Sequence, residues 1–317
     1  MKRVAITLAV LAAVSAIGLR LLPAKEKPAP RVEQRAVEAV DPFDTDGKVA
    51  AGPYRAGFSP DGAHMAVLDG RGVAMAEGGR LRRIEPPDGG VVDFAFLPGS
   101  DHVLLGQGPE IVRRLLLFGV DGSATGHVPL DPPLSLGSGH GMTVDATGRT
   151  AIVTASVRPP LGEEHLHLVV VDLREGTTRS LTPADGPDES RPVFAGDKVV
   201  YTSTDDGVSS VQLLDRATGA SEQLSPKGRS SALAAVGEGH VLYVTEAAPP
   251  VNGRSEPRSI WVRPLGGGDQ HLVGVLQETE SIVTADLANG LLVVAERGQA
   301  TVLKARRVPS RLLRPGR

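Results

Sequence analysis

Beyond residue 46 the chain has no long stretch with apolar residues at helical spacing. What recurs is a short alternating or fully apolar run, a turn containing Gly or Asp, and another such run, which is the pattern of strands joined by hairpins. The clearest unit is SRPVFAGDKVVYTSTDDGVSSVQLLDRATGASEQLSP, residues 190–226. It predicts a strand ending at Phe194, a turn at Gly196-Asp197, a strand through VVYTS and a turn at Asp206-Gly207. A third strand through SVQLLD, a turn at Thr218-Gly219 and a fourth strand through SEQLS complete it. Gly and Asp suit these turns because they accept the positive φ that tight hairpins demand. The unit therefore reads as a four-stranded antiparallel meander.

The unit repeats. Its first turn falls at Asp61-Gly62, Gly99-Ser100, Thr147-Gly148, Gly196-Asp197, Glu238-Gly239 and Asn289-Gly290. Its third turn falls at Gly78-Gly79, Asp121-Gly122, Glu175-Gly176, Thr218-Gly219 and Gly267-Gly268. Both series keep a spacing of about 40–50 residues, and four short strands per such period are the signature of a β-propeller blade. Six first turns predict six blades, with five or seven if one is misread, and a β-sandwich is the alternative architecture. The last unit, SIVTADLANGLLVVAERGQATVLKARRV, offers only three strands. RAVEAV or GKVAAG, within residues 35–52, could supply the fourth and so hide two free edges at once.

FSPDG at 58–62 and the 190–226 unit together resemble the TolB-like propeller family, whose blades carry an apolar strand into a W/F-S-P-D-G turn. GMTVDATGRTAIVTAS with HLVVVDLREGTTRSLTP resembles it in part, and the period runs through about residues 54–310, although the pentapeptide occurs once. The resemblance implies export, a rigid scaffold, and protein or peptide binding by the propeller faces. No hydrolase domain is expected after the blades. Only a tether precedes them, so the expectation is a relative of TolB and not TolB itself.

The amino terminus supports export independently. Lys2 and Arg3 precede an uncharged run from Val4 to Leu19, the charged and apolar regions of a secretory signal, with Val14-Ser15-Ala16 as a cleavage site. With Leu21 and Leu22 the run could instead be retained as a membrane anchor. The expected organisation is a signal or anchor helix at 1–24, a tether at 25–46, a single all-β propeller of six four-stranded blades at 47–310, and a basic tail at 311–317.

Composition narrows the chemistry. The 38 Gly and 25 Pro suit many tight turns, and aromatics at 3% leave Val, Leu and Ala to build the core. A net charge of −3 provides no general attraction to nucleic acid, and none is expected as a partner. The absence of cysteine excludes disulfides, thiolate metal sites and a cysteine nucleophile. There is no Gly-x-Ser-x-Gly elbow and no phosphate-binding loop, and GSGHG at 137–141 is not a dinucleotide fingerprint. DPFDTDG at 41–47 misses calcium-loop spacing and reads as a solvated turn, as does Asp205-Asp206-Gly207. No catalytic residue and no cofactor is assigned.

Two long insertions, RPPLGEEHLH and AAPPVNGRSEPRS, are candidate partner-binding loops because loops carry function on a rigid frame. They nominate Glu163, Glu164, Arg254, Arg258 and the nearby single Trp261, though core packing is the plainer role for that ring. The expected partner is an envelope protein or peptide, with membrane anchoring through the amino-terminal segment as a further option. The alternative is a metal-dependent lactonase or lyase using channel-facing groups. His165 and His167 share one face of a strand, and His140 could reach the channel, giving a possible zinc or copper set. The Arg-rich tail reads as a solvated end, or as a contact for acidic surfaces.

Overall fold

The structure, a computed structural model, describes residues 55–69, 72–77, 80–84, 86, 90–99, 101–107, 111–137, 140–157, 164–183, 185–246, 258–278, 280–287, 291–297 and 301–308. Among these there is no helix, and thus none long and apolar enough to cross a membrane. The signal or anchor, the tether, the proposed closing strand and the tail lie outside the described residues.

Strands follow the predicted units. The first contains β1 (Arg55–Phe58), β2 (Met65–Asp69), β3 (Gly72–Glu77) and β4 (Arg80–Ile84). The second contains β5 (Val91–Phe96), β6 (His102–Gln107), β7 (Val112–Gly119) and β8 (Ala124–Leu136). The third contains β9 (Met142–Val144), β10 (Thr150–Val157), β11 (His165–Asp172) and β12 (Thr178–Ser180). β13 (Asp188–Ala195), β14 (Lys198–Asp205), β15 (Val208–Asp215) and β16 (Ser221–Gln223) make the fourth. The fifth has β17 (Ser231–Gly237), β18 (His240–Thr245), β19 (Arg258–Pro264) and β20 (His271–Leu276). The last has three strands, β21 (Glu280–Asp286), β22 (Leu291–Arg297) and β23 (Thr301–Arg307). Every consecutive pair within a unit is antiparallel.

Turn chemistry sets the register. Asp205 pairs with Val208 across Asp206 and Gly207, whose φ values of 47° and 76° are both left-handed, as a two-residue hairpin of this hand requires. Before the third turns an Asp recurs for another reason. Asp215 Oδ1 accepts from the amides of Ala217 and Thr218, each at 3.0 Å, and Asp172 does the same for Arg174 and Glu175. Asp61 behaves likewise, accepting from Ser59 Oγ at 2.7 Å and from the Ala63 amide at 3.0 Å. It closes a turn.

One departure from the regular plan concerns β8. Its first part pairs with β7, but Ser135 and Leu136 at its end pair with Ser156 and Ala155 of β10. The second and third meanders are thereby fused into one eight-stranded sheet. A two-residue link between strands of different units leaves no sign in the hydrophobic pattern.

The core lies between successive sheets. Middle strands are buried on both faces, as in the run Val199 to Ser203 of β14. Met75 and Leu68 of the first sheet pack against Phe94 and Leu105 of the second, and Val200 and Val211 of the fourth against Tyr243 and Leu233 of the fifth. Burying each such aliphatic side chain stabilises the fold by roughly 1.5–3 kcal/mol. The first strands of the units touch in succession (β1, β5, β9, β13, β17, β21), and β21 returns to β1. β5, β13, β17 and β21 each carry a bulge, which leaves backbone and side chains aimed at the axis.

Candidate functional site

These first strands enclose a cavity of about 370 Å³, lined by β1, β13, β17, β21 and their turns. Much of its wall is small or apolar, including Ala56, Gly57, Pro192 and Ala234. Its charged lining residues are Arg55, Arg191 and Glu238.

Arg55 is fully engaged. Its Nη1 is bonded to the Asp93 carboxylate and donates to the Phe94 carbonyl at 2.7 Å, and Nη2 donates to the Met142 carbonyl at 2.6 Å. The guanidinium also stands 5.0 Å from the Phe94 ring centre. Asp93 is buried, accepting from its neighbour Phe94 amide at 2.8 Å and from the Gly141 amide at 2.6 Å. One ion pair thus ties β1, β5 and the start of β9 together around the axis.

Gly141 has to be glycine. Its φ is 116°, and a Cβ there would stand 2.7 Å from Arg191 Cα. This close approach lets the Arg191 amide bond the His140 carbonyl. Arg191 lies in the β13 bulge with φ 55°, a left-handed geometry costing roughly 1–3 kcal/mol for a non-glycine residue. Its Nη1 donates to the Leu233 carbonyl of β17 at 3.1 Å. The side chain is exposed to the cavity while protein surrounds it. That burial, and then the nearby charge of Arg55, weaken its hold on its proton. His140 is half-buried, and burial holds its pKa below the usual range against the opposing pull of Asp93.

A second polar cluster lies between the third and fourth units. Glu189 of β13 is only 5% exposed and is bonded by Thr182 Oγ1, which accepts from the Leu168 amide at 3.0 Å. Burial pushes the Glu189 carboxyl up to about 7, and burial likewise raises Tyr201, which neighbours it.

The nominated residues are dispersed. Glu163 and Arg254 lie outside the described residues. Glu164 is exposed and bonded by Ser156 Oγ. Arg258 Nη2 donates to the carbonyls of Gln277 at 3.0 Å, Glu278 at 3.3 Å and Glu280, tying down the link from β20 to β21. Trp261 is half-buried and packs against the cluster containing Val200 and Tyr243. His165 Nδ1 is 3.6 Å from Asp188 Oδ1, whereas His167 is buried with its Nδ1 unpartnered and its pKa lowered by burial. Among the described residues no three His, Asp or Glu side chains converge as metal ligands.

Sequence reasoning missed Arg55, Asp93 and Arg191. A signal was present: all three stand five or six residues before a first turn, as do Gly141 and Leu233. Lining up the units on their turns puts charge at one position of the innermost strand, where a bland wall needs none.

No protein-family model matches the sequence, and no curated protein does. Solved structures do. An oligogalacturonate lyase from Vibrio parahaemolyticus superposes with TM-score 0.57 at 11% identity, covering 84% of this chain and 77% of that one. TolB from Acinetobacter baumannii gives 0.53 at 14%, covering 82% and 63%, so this chain spans less than two thirds of that protein. The propeller domain of the Trilobed protease from Pyrococcus furiosus gives 0.52 at 10%, covering 82% and 84%. The class is thus a β-propeller. Its particular fold is TolB-like, shared at identities that carry architecture alone.

Proposed function

We propose that the chain is an exported, six-bladed propeller scaffold that binds a protein or peptide partner in the cell envelope through its central cavity and rim. The observation behind this is the cavity itself, of a size suited to a few side chains, walled by bulged first strands and bearing an arginine, Arg191, that is bonded to no carboxylate among the described residues. The succession of six touching first strands supports the blade count, and Lys2, Arg3 and the apolar run after them support export or anchoring. The enzymatic alternative through His140, His165 and His167 has less behind it, since among the described residues these side chains form no three-ligand group with the acids around them.

Capture from envelope extracts with the tagged protein tests the reading. One envelope protein should be retained by the wild type and lost when Ala234→Trp fills the cavity wall. Retention that Ala234→Trp leaves unchanged, in a folded variant, refutes binding at the cavity.

A further inference from the structure

We propose that Arg191 is the anion-holding group of the cavity, and that its ligand is a carboxylate of a bound peptide, either an acidic side chain or a free carboxyl terminus. This rests on the peptide-binding reading above for the source of the carboxylate, but not for the anion site.

Three independent observations converge on Arg191. First, among the described residues no carboxylate is bonded to its guanidinium. Arg55 spends its charge on Asp93, whereas the Arg191 guanidinium donates to one neutral carbonyl. A guanidinium has five donors in a fixed fork, so most of its bonding capacity faces the cavity. Second, the protein around the guanidinium strips away much of bulk water's compensation, and its neighbour Arg55 is another cation, already paired with Asp93. Third, the backbone is held in a left-handed bulge, and Gly141 is cut back to let it approach. Strain of this kind persists where the surrounding structure over-determines it, and it places a cation where folding alone has no use for one.

The ligand chemistry follows. A forked guanidinium prefers a planar, two-oxygen acceptor, and the apolar wall from Ala56, Pro192 and Ala234 suits the methylene groups that precede a carboxylate. His140, adjacent and disfavoured as a cation, can donate or accept one further bond without adding charge.

The test uses the full chain with Arg191→Gln and Arg191→Lys. In the first arm, thermal unfolding is followed as sodium glutarate is raised against sodium chloride of equal ionic strength. The wild type should gain stability with glutarate, because binding to the folded state alone shifts unfolding. Arg191→Gln should show no glutarate-specific gain and Arg191→Lys a reduced one. An equal response in wild type and Arg191→Gln, or no response in either, overturns the anion site. Removal of an uncompensated charge should also leave Arg191→Gln at least as stable as wild type without ligand. A loss that Arg191→Lys restores, with no glutarate effect, would make the residue structural and overturn the proposal.

In the second arm, a displayed random peptide library is selected on the wild type. Selected peptides should share an Asp, Glu or free carboxyl terminus at one register. They should bind about tenfold or more weakly once that acid becomes an amide, and equally so to Arg191→Gln. Peptides without a shared acid, alongside an intact glutarate response, overturn the peptide source and leave a free small carboxylate as ligand. Failure to select any peptide sinks peptide binding itself, while the glutarate arm still decides the anion site.

Discussion

Glu189 gives the fold a pH dependence that runs opposite to that of a salt-bridged acid. Its carboxyl is pushed from 4.5 to about 7 by burial, with Thr182 and Tyr201 as neighbours. Unfolded, the group ionises near its ordinary value. Between about pH 4.5 and 7 the folded state therefore holds the extra proton, and stability falls as pH rises through this window. A shift of about 2.5 units corresponds to roughly 3 kcal/mol, present below pH 4.5 and lost by about pH 8. Glu189→Gln keeps the shape and the acceptor but cannot ionise. Denaturant unfolding of wild type and variant at pH 5, 6, 7 and 8 should show the two close at pH 5. At pH 8 Gln should be ahead by up to about 3 kcal/mol, or roughly 4–6 °C in Tm for a fold of this size. A difference that does not change with pH would refute the reasoning, because it would mean that Glu189 ionises normally where it sits.

Arg55→Ala leaves the Asp93 carboxylate buried without its cation and should destabilise by about 3–5 kcal/mol, measured by urea unfolding. Adding Asp93→Asn should recover part of that loss, and a double variant no better than Arg55→Ala would show that the pair is not the cause. Gly141→Ala forces a Cβ to within 2.7 Å of Arg191 Cα in a left-handed backbone, so it should lower Tm by several degrees, and an unchanged Tm would deny the close approach.

The strand plan was legible because turn chemistry and apolar runs are local signals. VVYTS and SVQLLD became β14 and β15, with the register that Asp206-Gly207 imposes. Asp61 was correctly read as part of a turn. The channel charges were harder to see, because Asp93 and Arg191 look like ordinary polar positions until several units are laid over each other. The insertions drew attention for their length, yet Arg258 spends its donors on three backbone carbonyls and Trp261 joins the core. Length marks where a chain can vary; it does not show where side chains are left free. Strand spacing nominates His167 beside His165 and residue type nominates His140, but burial, which a single sequence does not display, governs what His140 and His167 can do.

The shared strand β8 makes the ring mechanically uneven. Elsewhere neighbouring units are held mainly by side-chain packing, which can slide, whereas the second and third units are joined by backbone ladder as well. To spread those two apart, hydrogen bonds must break in a sheet that lies on the Asp93 and Gly141 side of the axis. Among the described residues no such ladder joins the fourth, fifth and sixth units, where Leu233 and Thr284 line the cavity wall. Arg191 stands at the seam between the two arcs, its amide bonded to the His140 carbonyl of the third unit and its guanidinium to the Leu233 carbonyl of the fifth.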